Sequence, residues 1–272
     1  MFSQVNRRGL VLVGCGKMGS AMLEGWLRQG LALGAVWVAD PQPSDRIKGL
    51  AAKGLHLNAG FPPEPAIVLV AVKPQMMTEA LPQLAHMGGG GTLFVSVAAG
   101  TPLARYETVL GAGTPVIRAM PNTPAAVGRG ITAIVGNAFA GEKDMALAEA
   151  FLGAVGQVVR LKDEHQMDAV TALSGSGPAY VFHLIEALAA AGEAEGLPAG
   201  LSMQLARATV TGAAELAHRS PASAAQLRVD VTSPGGTTAA ALAVLMDPDT
   251  GFPPLLRRAV KAAADRGREL GK

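Results

Sequence analysis

The chain has 272 residues, 49% of them hydrophobic, which is enough to bury the core of one large domain or two ordinary ones. Its 23 basic and 21 acidic residues leave a net charge of +2, and 4% of the residues are aromatic, so no nucleic-acid surface is expected. The single cysteine, Cys15, excludes an intramolecular disulfide. No Cys/His cluster has metal-ligand spacing, and no apolar run has the length of a signal peptide or membrane span. We expect a metal-free cytoplasmic protein without nucleic-acid or membrane partners.

Predicted strands and helices alternate through the first part of the chain. Short apolar runs predict buried strands at residues 9–13, 36–39, 67–72, 93–97, 116–119, 131–135 and 155–161. Helical spacing predicts helices at residues 17–29, 44–52, 75–84, 102–110 and 142–152. The alternation predicts an α/β fold with a doubly wound, mostly parallel sheet.

From residue 164 onward the sequence is almost wholly helical. Helices are predicted at residues 178–195, 199–217, 239–245 and 253–270. The segment 178–195 is apolar on nearly every face, as in a helix that is buried in a core or between subunits. We therefore expect this all-α region to form a homodimer with a second copy of the chain.

A GxGxxG loop follows the first predicted strand and opens the first helix. It consists of Gly14, Cys15, Gly16, Lys17, Met18 and Gly19. The first glycine allows the tight turn, the second lets the backbone approach a pyrophosphate, and the third lets the helix pack closely. This context predicts a Rossmann-type dinucleotide site. Cys15 is either a reactive thiol or a small side chain in the turn, and the absence of a basic partner in the sequence favours the turn.

Asp40 ends the second predicted strand, about 20 residues after Gly19, where an acidic side chain accepts from a ribose hydroxyl. A carboxylate there repels a 2′-phosphate and favours NAD over NADP. Arg46 lies close downstream and either binds that phosphate or is an ordinary exposed helix residue. The sequence leaves the choice between the two cofactors open.

Two more polar residues follow predicted strands at the sheet edge where ligands bind. Lys73 comes after the strand 67–72 and either contacts the cofactor or faces solvent. Asn122 lies between two prolines after the strand 116–119. Its amide suits a nicotinamide ring or a substrate, but asparagine is also a common turn residue.

Two predicted helices begin with small polar residues, and such helix starts can bind an anion. One start is the segment 174–178, in which Pro178 suits the first helical turn, and the other is the segment 232–238. A serine-hydrolase elbow would need a glycine at Ala172 and a His/Asp partner, so that chemistry is disfavoured. The five histidines are scattered, and His183 is read as a core or interface residue.

The segments 14–19, 71–75, 120–124, 173–180 and 231–245 together resemble the Δ1-pyrroline-5-carboxylate reductase family, and the block 230–238 is the most specific of them. The resemblance implies a Rossmann-type dinucleotide-binding domain, residues 1–162, and an all-α C-terminal domain for substrate binding and dimerisation, residues 163–272. It also implies that dimers assemble further into a decamer.

The implied reaction is hydride transfer from NADPH or NADH to the C=N carbon of pyrroline-5-carboxylate, giving L-proline, the last step of proline biosynthesis. A protonated cyclic imine is already electrophilic, so the enzyme mainly orients the ring, binds the carboxylate and excludes water. By resemblance, Thr238 is the catalytic candidate, hydrogen-bonded to the ring nitrogen. The substrate residues implied are Ser176, Gly177, Ser233, Gly235, Gly236, Thr237 and Thr238.

The resemblance also assigns cofactor contacts beyond the glycine loop, Asp40 and Arg46. They are Asn58, Ala71, Val72, Lys73, Pro74, Ala98, Ala99, Gly100 and Asn122, with the 98–100 backbone approaching the nicotinamide. Asp40 departs from the neutral or hydroxyl residues common among NADP-preferring members of the family, which puts an NADPH preference in doubt.

Two other functions compete with this one. A β-hydroxyacid dehydrogenase also joins a Rossmann domain to a helical one, but its acid is a lysine on a long helix, and residues 179–195 contain no lysine. The other alternative is a non-catalytic dimer that senses NAD(P).

Overall fold

The computed structural model describes residues 2–271, and its N-terminal part is built on one eight-stranded sheet. The strands are β1 (Leu10–Val13), β2 (Val36–Ala39), β3 (His56–Leu57), β4 (Ile67–Val70), β5 (Leu93–Ser96), β6 (Val116–Met120), β7 (Gly130–Gly136) and β8 (Gly156–Arg160). They lie in the order β3-β2-β1-β4-β5-β6-β7-β8. The chain order reverses between β1 and β4, which creates the crevice at the carboxyl ends of these strands where doubly wound folds bind ligands.

Every neighbouring pair is parallel except β6 and β7. A parallel crossover needs roughly a dozen or more residues, usually including a helix. The connection from Met120 to Gly130 is shorter and contains only a 3₁₀ turn, Thr123–Val127, so β7 returns antiparallel. The predicted mostly parallel sheet is confirmed.

Twelve α-helices accompany the sheet in the described residues. They are α1 (Ser3–Arg8), α2 (Lys17–Arg28), α3 (Asp45–Ala51), α4 (Met77–Ala80), α5 (Leu103–Leu110), α6 (Glu142–Leu152), α7 (Met167–Val170), α8 (Gly177–Ala194), α9 (Ala199–Arg219), α10 (Ala224–Asp230), α11 (Thr237–Leu245) and α12 (Phe252–Leu270). The helix predicted at 75–84 is wrong as one continuous element. It consists of the 3₁₀ turn Pro74–Met76, the single turn α4 and the 3₁₀ segment Leu81–Met87, because Pro82 has no N–H to donate.

Apolar side chains fill both faces of the sheet. On one face, Trp26 of α2 stacks on Phe151 of α6 with ring centroids 3.8 Å apart, and its indole N–H donates to the Phe151 carbonyl at 2.7 Å. On the other face, Tyr106 of α5 is fully buried, and its hydroxyl is hydrogen-bonded to that of Ser96 in β5. The first contact joins α2 to α6, and the second joins α5 to β5.

The described chain divides into two compact units. The first comprises Met1–Ser176 and Ala263–Lys272, and the second comprises Gly177–Ala262. The sequence-based boundary after residue 162 separates a dinucleotide-binding domain from a domain for substrate binding and dimerisation, and it stays a prediction.

The second unit is helical and exposes many apolar side chains. Phe182 in α8 is 60% exposed, and Leu205 and Leu216 in α9 are also exposed. Residues 178–195, expected to be buried in a core or between subunits, are therefore largely uncovered within one chain. An apolar face this extensive is typical of a subunit interface. Among residues 2–271, no helix is both long and apolar enough to cross a membrane.

Candidate active site

The glycine loop lies where β1 meets α2, and each of its glycines has a separate structural reason. Gly14 has φ +86°, and a Cβ there would lie 2.8 Å from the Ala71 carbonyl oxygen at the end of β4. A Cβ on Gly19 would lie 2.6 Å from the Gly14 oxygen, so α2 packs directly on the loop. A Cβ on Gly16 would meet nothing within 4 Å, so this position borders open space. The loop thus leaves room for a ligand at its middle glycine.

The first turn of α2 has backbone N–H donors without a helical acceptor, next to the open space at Gly16. Gly16 is the N-cap, has extended backbone and makes no side-chain cap, and the first intrahelical bond begins with the N–H of Ser20. The N–H groups of Lys17, Met18 and Gly19 precede it and have no backbone acceptor four residues earlier in the helix. Together with the positive end of the helix dipole, they fit a pyrophosphate.

Asp40 is held directly against the glycine loop. Its Oδ2 accepts from the backbone N–H of Cys15 at 2.7 Å, and its Oδ1 accepts from the N–H of Gln42 at 2.8 Å. Each oxygen has a second lone pair, so the carboxylate can still accept from the hydroxyls of a ribose. The structure brings Asp40 to the glycine loop, the arrangement that is typical of dinucleotide sites.

Asn58, after β3, fixes the backbone of Asp40. Its Oδ1 accepts from the N–H of Asp40 at 2.9 Å, and its Nδ2 donates to the carbonyl of Asp40 at 2.9 Å. Its φ of 50° lies in the left-handed region, which asparagine tolerates better than most residues. The side chain predicted to contact the cofactor therefore also positions Asp40.

A pocket of about 350 Å³ opens beside Asp40. Its lining includes Asn58, Phe61, Val72, Met76 and Glu79. The apolar side chains of the lining suit a flat aromatic ring, and the carboxylates of Asp40 and Glu79 make the pocket unfavourable for a phosphate. The sequence reasoning missed Phe61, Met76 and Glu79, because no motif marks the residues that come together here from different loops.

Arg46, predicted as a possible phosphate ligand, lies in α3 and is exposed. Its Nε donates to Oε1 of Glu24 in α2 at 3.2 Å. Lys73 is exposed just beyond β4, at the N-cap position of the turn Pro74–Met76, and its side chain makes no capping hydrogen bond. Ala71 and Val72 are half-buried against Gly14, and Pro74 is exposed.

The thiol of Cys15 is buried inside the loop, 4% exposed. Burial raises its pKa from 9.0 to about 11, and the weak contact with the hydroxyl of Ser20 offsets this only in part. A thiol with this pKa is almost wholly protonated near neutral pH. The prediction of a structural rather than a reactive cysteine fits this environment.

The loop after β5 contains the backbone expected to approach the nicotinamide. The N–H of Ala98 donates to the hydroxyl of Ser96 at 3.2 Å, and Ala99 is half-buried. Gly100 has φ +74°, and a Cβ there would lie 3.3 Å from the backbone of Leu270. The loop is therefore anchored at both ends.

A partly buried ion pair lies beside the same loop and was not predicted. Nη1 of Arg118, in β6, donates to Oε1 of Glu164 at 2.7 Å, and the same oxygen accepts from the N–H of Leu103 at 2.9 Å. Arg118 is 5% exposed. In the sequence, Arg118 is the one charged residue of an otherwise apolar strand. This pattern does not reveal which acidic residue pairs with it, so the ion pair could not be predicted.

Asn122 is 9% exposed at the end of β6, and both ends of its amide are used within the protein. Its Oδ1 accepts from the N–H of Ile131 at 3.0 Å, and its Nδ2 donates to the carbonyl of Ser174 at 3.1 Å. The predicted contact with the cofactor stays a prediction.

Ser174 belongs to a π-helical turn, Thr171–Gly175, which the sequence pattern did not predict. The N–H of Ser176 donates to the Thr171 carbonyl at 2.8 Å and is thus unavailable to a ligand, contrary to the expectation that backbone amides here bind a carboxylate. Within the described residues the hydroxyl of Ser176 makes no hydrogen bond. Gly177 begins α8. Single π-turns of this kind are frequent at functional sites.

The second polar helix start forms a tight turn that leads into α11. Gly235 has φ +69°, and the N–H of Gly236 donates to the Ser233 carbonyl at 3.1 Å. Gly236 is the N-cap and makes no side-chain cap, so the first N–H groups of α11 are open. Thr237 and Thr238 are its first two residues, and neither hydroxyl is hydrogen-bonded within residues 2–271.

Comparison with known proteins identifies the family. The chain is 38% identical to the pyrroline-5-carboxylate reductase of Pseudomonas aeruginosa, over 97% of both chains. It is 47% identical to the enzyme of that name from Synechocystis, over 76% of this chain and 75% of that one. The chain belongs to the pyrroline-5-carboxylate reductase family. The family model for pyrroline-5-carboxylate reductase dimerisation matches residues 164–270 of this chain, and a model for a coenzyme F420-dependent NADP oxidoreductase matches residues 9–100.

Solved structures of relatives confirm the fold of this family member. A pyrroline-5-carboxylate reductase from Coxiella burnetii is 33% identical, with a TM-score of 0.90 over 97% of this chain and 99% of that one. The pyrroline carboxylate reductase of Plasmodium falciparum, solved with NADP bound, is 27% identical, with a TM-score of 0.83 over 98% and 99%. The predicted Rossmann-type sheet followed by a helical dimerisation domain is confirmed, and the dimerisation domain supports self-association of this chain.

Proposed function

We propose that this protein reduces Δ1-pyrroline-5-carboxylate to L-proline with NAD(P)H, the last step of proline biosynthesis. The observation that carries the proposal is the glycine loop of a pyrroline-5-carboxylate reductase chain, open at Gly16 and followed by the free N–H groups of α2. These groups supply what a dinucleotide pyrophosphate needs, without a metal ion.

The cofactor is held by three groups of residues in this proposal. The pyrophosphate binds the loop of Gly14, Cys15, Gly16, Lys17, Met18 and Gly19. The adenosine binds Asp40 and the adjoining pocket, whose lining includes Asn58 and Val72. Ala71, Lys73 and Pro74, which flank Val72 in the chain, are further cofactor contacts, and the backbone of Ala98, Ala99 and Gly100 orients the nicotinamide. When bound, the reduced nicotinamide supplies the hydride.

NADH is the preferred form in this proposal. Asp40 is fixed by the N–H of Cys15 at 2.7 Å, and Glu79 lines the same pocket. A 2′-phosphate placed there would meet negative charge. The charge of Arg46 is partly offset by Glu24, whose Oε1 accepts from its Nε at 3.2 Å.

The substrate is held by the two polar helix starts. The N–H groups of Gly235 and Thr237 bind the carboxylate beside Gly236, whose own N–H is taken by the Ser233 carbonyl at 3.1 Å. The hydroxyls of Ser176 and Ser233 and the backbone of Gly177 are further donors. Thr238 holds the ring nitrogen through its hydroxyl, which makes no hydrogen bond within the described residues. Because the protonated imine is already electrophilic, positioning and exclusion of water supply most of the catalysis.

The working assembly is a homodimer formed through the helical domain, and dimers join into a decamer in the cytoplasm. The exposed apolar side chains of α8 and α9 support the first step. Sedimentation of the purified protein gives the test: ten times the mass of one chain supports the decamer, and twice that mass limits the assembly to a dimer.

The decisive assay follows NAD(P)H oxidation by the purified protein with pyrroline-5-carboxylate, and it should show substrate-dependent turnover with proline as product. A folded protein that binds nucleotide yet turns over neither NADH nor NADPH would instead be the non-catalytic sensor. Oxidation of a β-hydroxyacid with NAD⁺ would favour the other enzyme class, but α8 has no lysine to serve as its acid.

A further inference from the structure

The side-chain amide of Asn122 connects the end of β6 to the π-turn. Oδ1 accepts from the N–H of Ile131 at 3.0 Å, and Nδ2 donates to the Ser174 carbonyl at 3.1 Å. Its own carbonyl accepts from the N–H of Ala125 at 3.1 Å. With 9% of its surface exposed, the side chain lies inside the protein rather than facing a ligand in solvent.

The chain itself explains why Ser174 takes a donor from outside its helix. In a regular α-helix, the carbonyl of residue 174 would accept from the N–H of residue 178. Residue 178 is a proline and has no N–H. The Nδ2 group of Asn122 supplies a donor to this carbonyl.

The π-turn is also packed against the end of β6. A Cβ on Gly175 would lie 3.4 Å from the sulfur of Met120, an ordinary van der Waals contact, and Ala172 is fully buried. The turn consumes the N–H of Ser176 and leaves its hydroxyl as the polar group. The direction of that hydroxyl therefore depends on where the turn is fixed.

We infer that Asn122 is a positioning residue for the substrate: by holding the Ser174 carbonyl it fixes the π-turn and aims the Ser176 hydroxyl. This rests on the proposed function, in which Ser176 contacts pyrroline-5-carboxylate. Asn122 then acts on substrate binding through Ser174 and has no direct contact with the nicotinamide cofactor.

The test is Asn122→Asp, which keeps an acceptor for Ile131 and replaces the donor to Ser174 with an oxygen. The matched control is Asn137→Asp, at the other end of the β6/β7 pair. Asn137 is also 9% exposed, its Nδ2 donates to Thr114 and Glu107, and its Oδ1 accepts from Val116. Both variants lose a buried amide donor, but only one of these donors reaches the π-turn.

Three quantities are measured for each variant: KM for pyrroline-5-carboxylate, Kd for NADH and hydrogen exchange in residues 171–177. For Asn122→Asp we expect KM to rise about tenfold or more, Kd to stay within about twofold, and exchange to speed up in that peptide. For Asn137→Asp we expect lower thermal stability with unchanged KM. Should Asn122→Asp not fold, Asn122→Ser, which is too short to bridge both partners, takes its place.

A matching rise in the Kd for NADH would overturn the inference and make Asn122 a cofactor ligand. Equal changes in both variants would reduce its role to folding. If the wild type shows no turnover, the proposed function fails and this inference with it. If the wild type is active and KM for the substrate does not move in Asn122→Asp, the inference alone fails.

Discussion

Oδ2 of Asp40 accepts a hydrogen bond from the backbone N–H of Cys15 at 2.7 Å, so the acidic residue that ends β2 is part of the glycine-loop structure itself. The second oxygen is held by Gln42 and the backbone by both ends of the Asn58 amide. A residue held at both carboxylate oxygens and at its backbone has little freedom to move away from an approaching phosphate. This relationship connects the shape of the loop to the choice of cofactor.

Asp40→Asn should therefore shift the cofactor preference toward NADPH. A unit charge pair about 4 Å apart in water interacts by about 1 kcal/mol, and a phosphate monoester carries roughly 1.5 to 2 negative charges. Removing the carboxylate charge should lower the NADH/NADPH ratio of kcat/KM about 10- to 30-fold. The measurement is steady-state kinetics with both cofactors at one ionic strength.

Asp45→Asn is the matched control for this change. Asp45 lies in α3, is almost fully exposed and pairs with Lys48 at 3.0 Å. The Asp45→Asn substitution removes one negative charge at a position outside the pocket. It should leave the NADH/NADPH ratio of kcat/KM nearly unchanged. An equal shift in both variants would mean that net charge, and not Asp40, sets the preference.

Thr238→Ala should lose activity and keep its affinity for the cofactor. A hydrogen bond to a charged group contributes about 1.5 to 3 kcal/mol, which corresponds to a loss of roughly 10- to 150-fold in kcat/KM for pyrroline-5-carboxylate. Thr238→Ser keeps the hydroxyl and should recover most of the activity. Weaker NADH binding with normal turnover of bound substrate would contradict the assignment.

The thiol of Cys15 should react slowly with iodoacetamide in the folded protein. Raising its pKa from 9.0 to about 11 lowers the thiolate fraction at pH 8 about 100-fold, and burial restricts access further. The rate should rise steeply toward pH 11. Because Cys15 is the sole cysteine, mass spectrometry of the labelled chain reports this site alone. Rapid labelling at pH 8 of protein shown to be folded would contradict the buried environment.

The same shift has a consequence for stability with a definite sign. The folded pKa lies above the unfolded one, so the contribution of Cys15 is fully present below pH 9 and is lost as pH rises through 11. Comparison of thermal unfolding of the wild type and Cys15→Ser across this range isolates that contribution.

Trp26→Phe should destabilise the first unit. The variant loses part of the stacking on Phe151 and leaves the Phe151 carbonyl without its indole donor. An unpaired buried acceptor costs about 1 to 3 kcal/mol, so the melting temperature should fall by several degrees. Trp37→Phe is the control: Trp37 is half-buried and stacks on His56, and the melting temperature should fall less. Equal falls would contradict the role given to the Trp26–Phe151 contact.

The sequence predicted the sheet well because its strands are buried on both faces. Apolar runs such as those of β1 and β4 leave a clear signal in composition. The strand β3 has two residues, too few to show an alternation of apolar and polar side chains. The helix α1, with sequence SQVNRR, has one buried residue and so shows no helical spacing of apolar residues. Neither element could be predicted. The antiparallel strand β7 was located, but its direction depends on the length of the preceding connection.

The candidate site divides in the same way. The glycine loop could be predicted from the sequence, because the backbone close to Gly14 and Gly19 leaves no room for a Cβ at either position. The hydrogen bond from Asn122 to Ser174 joins residues far apart in the chain, and Ser174 lies in the π-turn. Contacts of this kind come from tertiary packing, which single-sequence patterns do not encode.

The most direct measurement of the central claim uses NADH labelled with deuterium at the transferred position of the nicotinamide. With pyrroline-5-carboxylate, the purified protein should give L-proline carrying one deuterium on the ring carbon that was double-bonded to nitrogen, one for each NADH oxidised. Proline without deuterium, or NADH oxidation without proline, would contradict hydride transfer to the imine carbon and with it the proposed function.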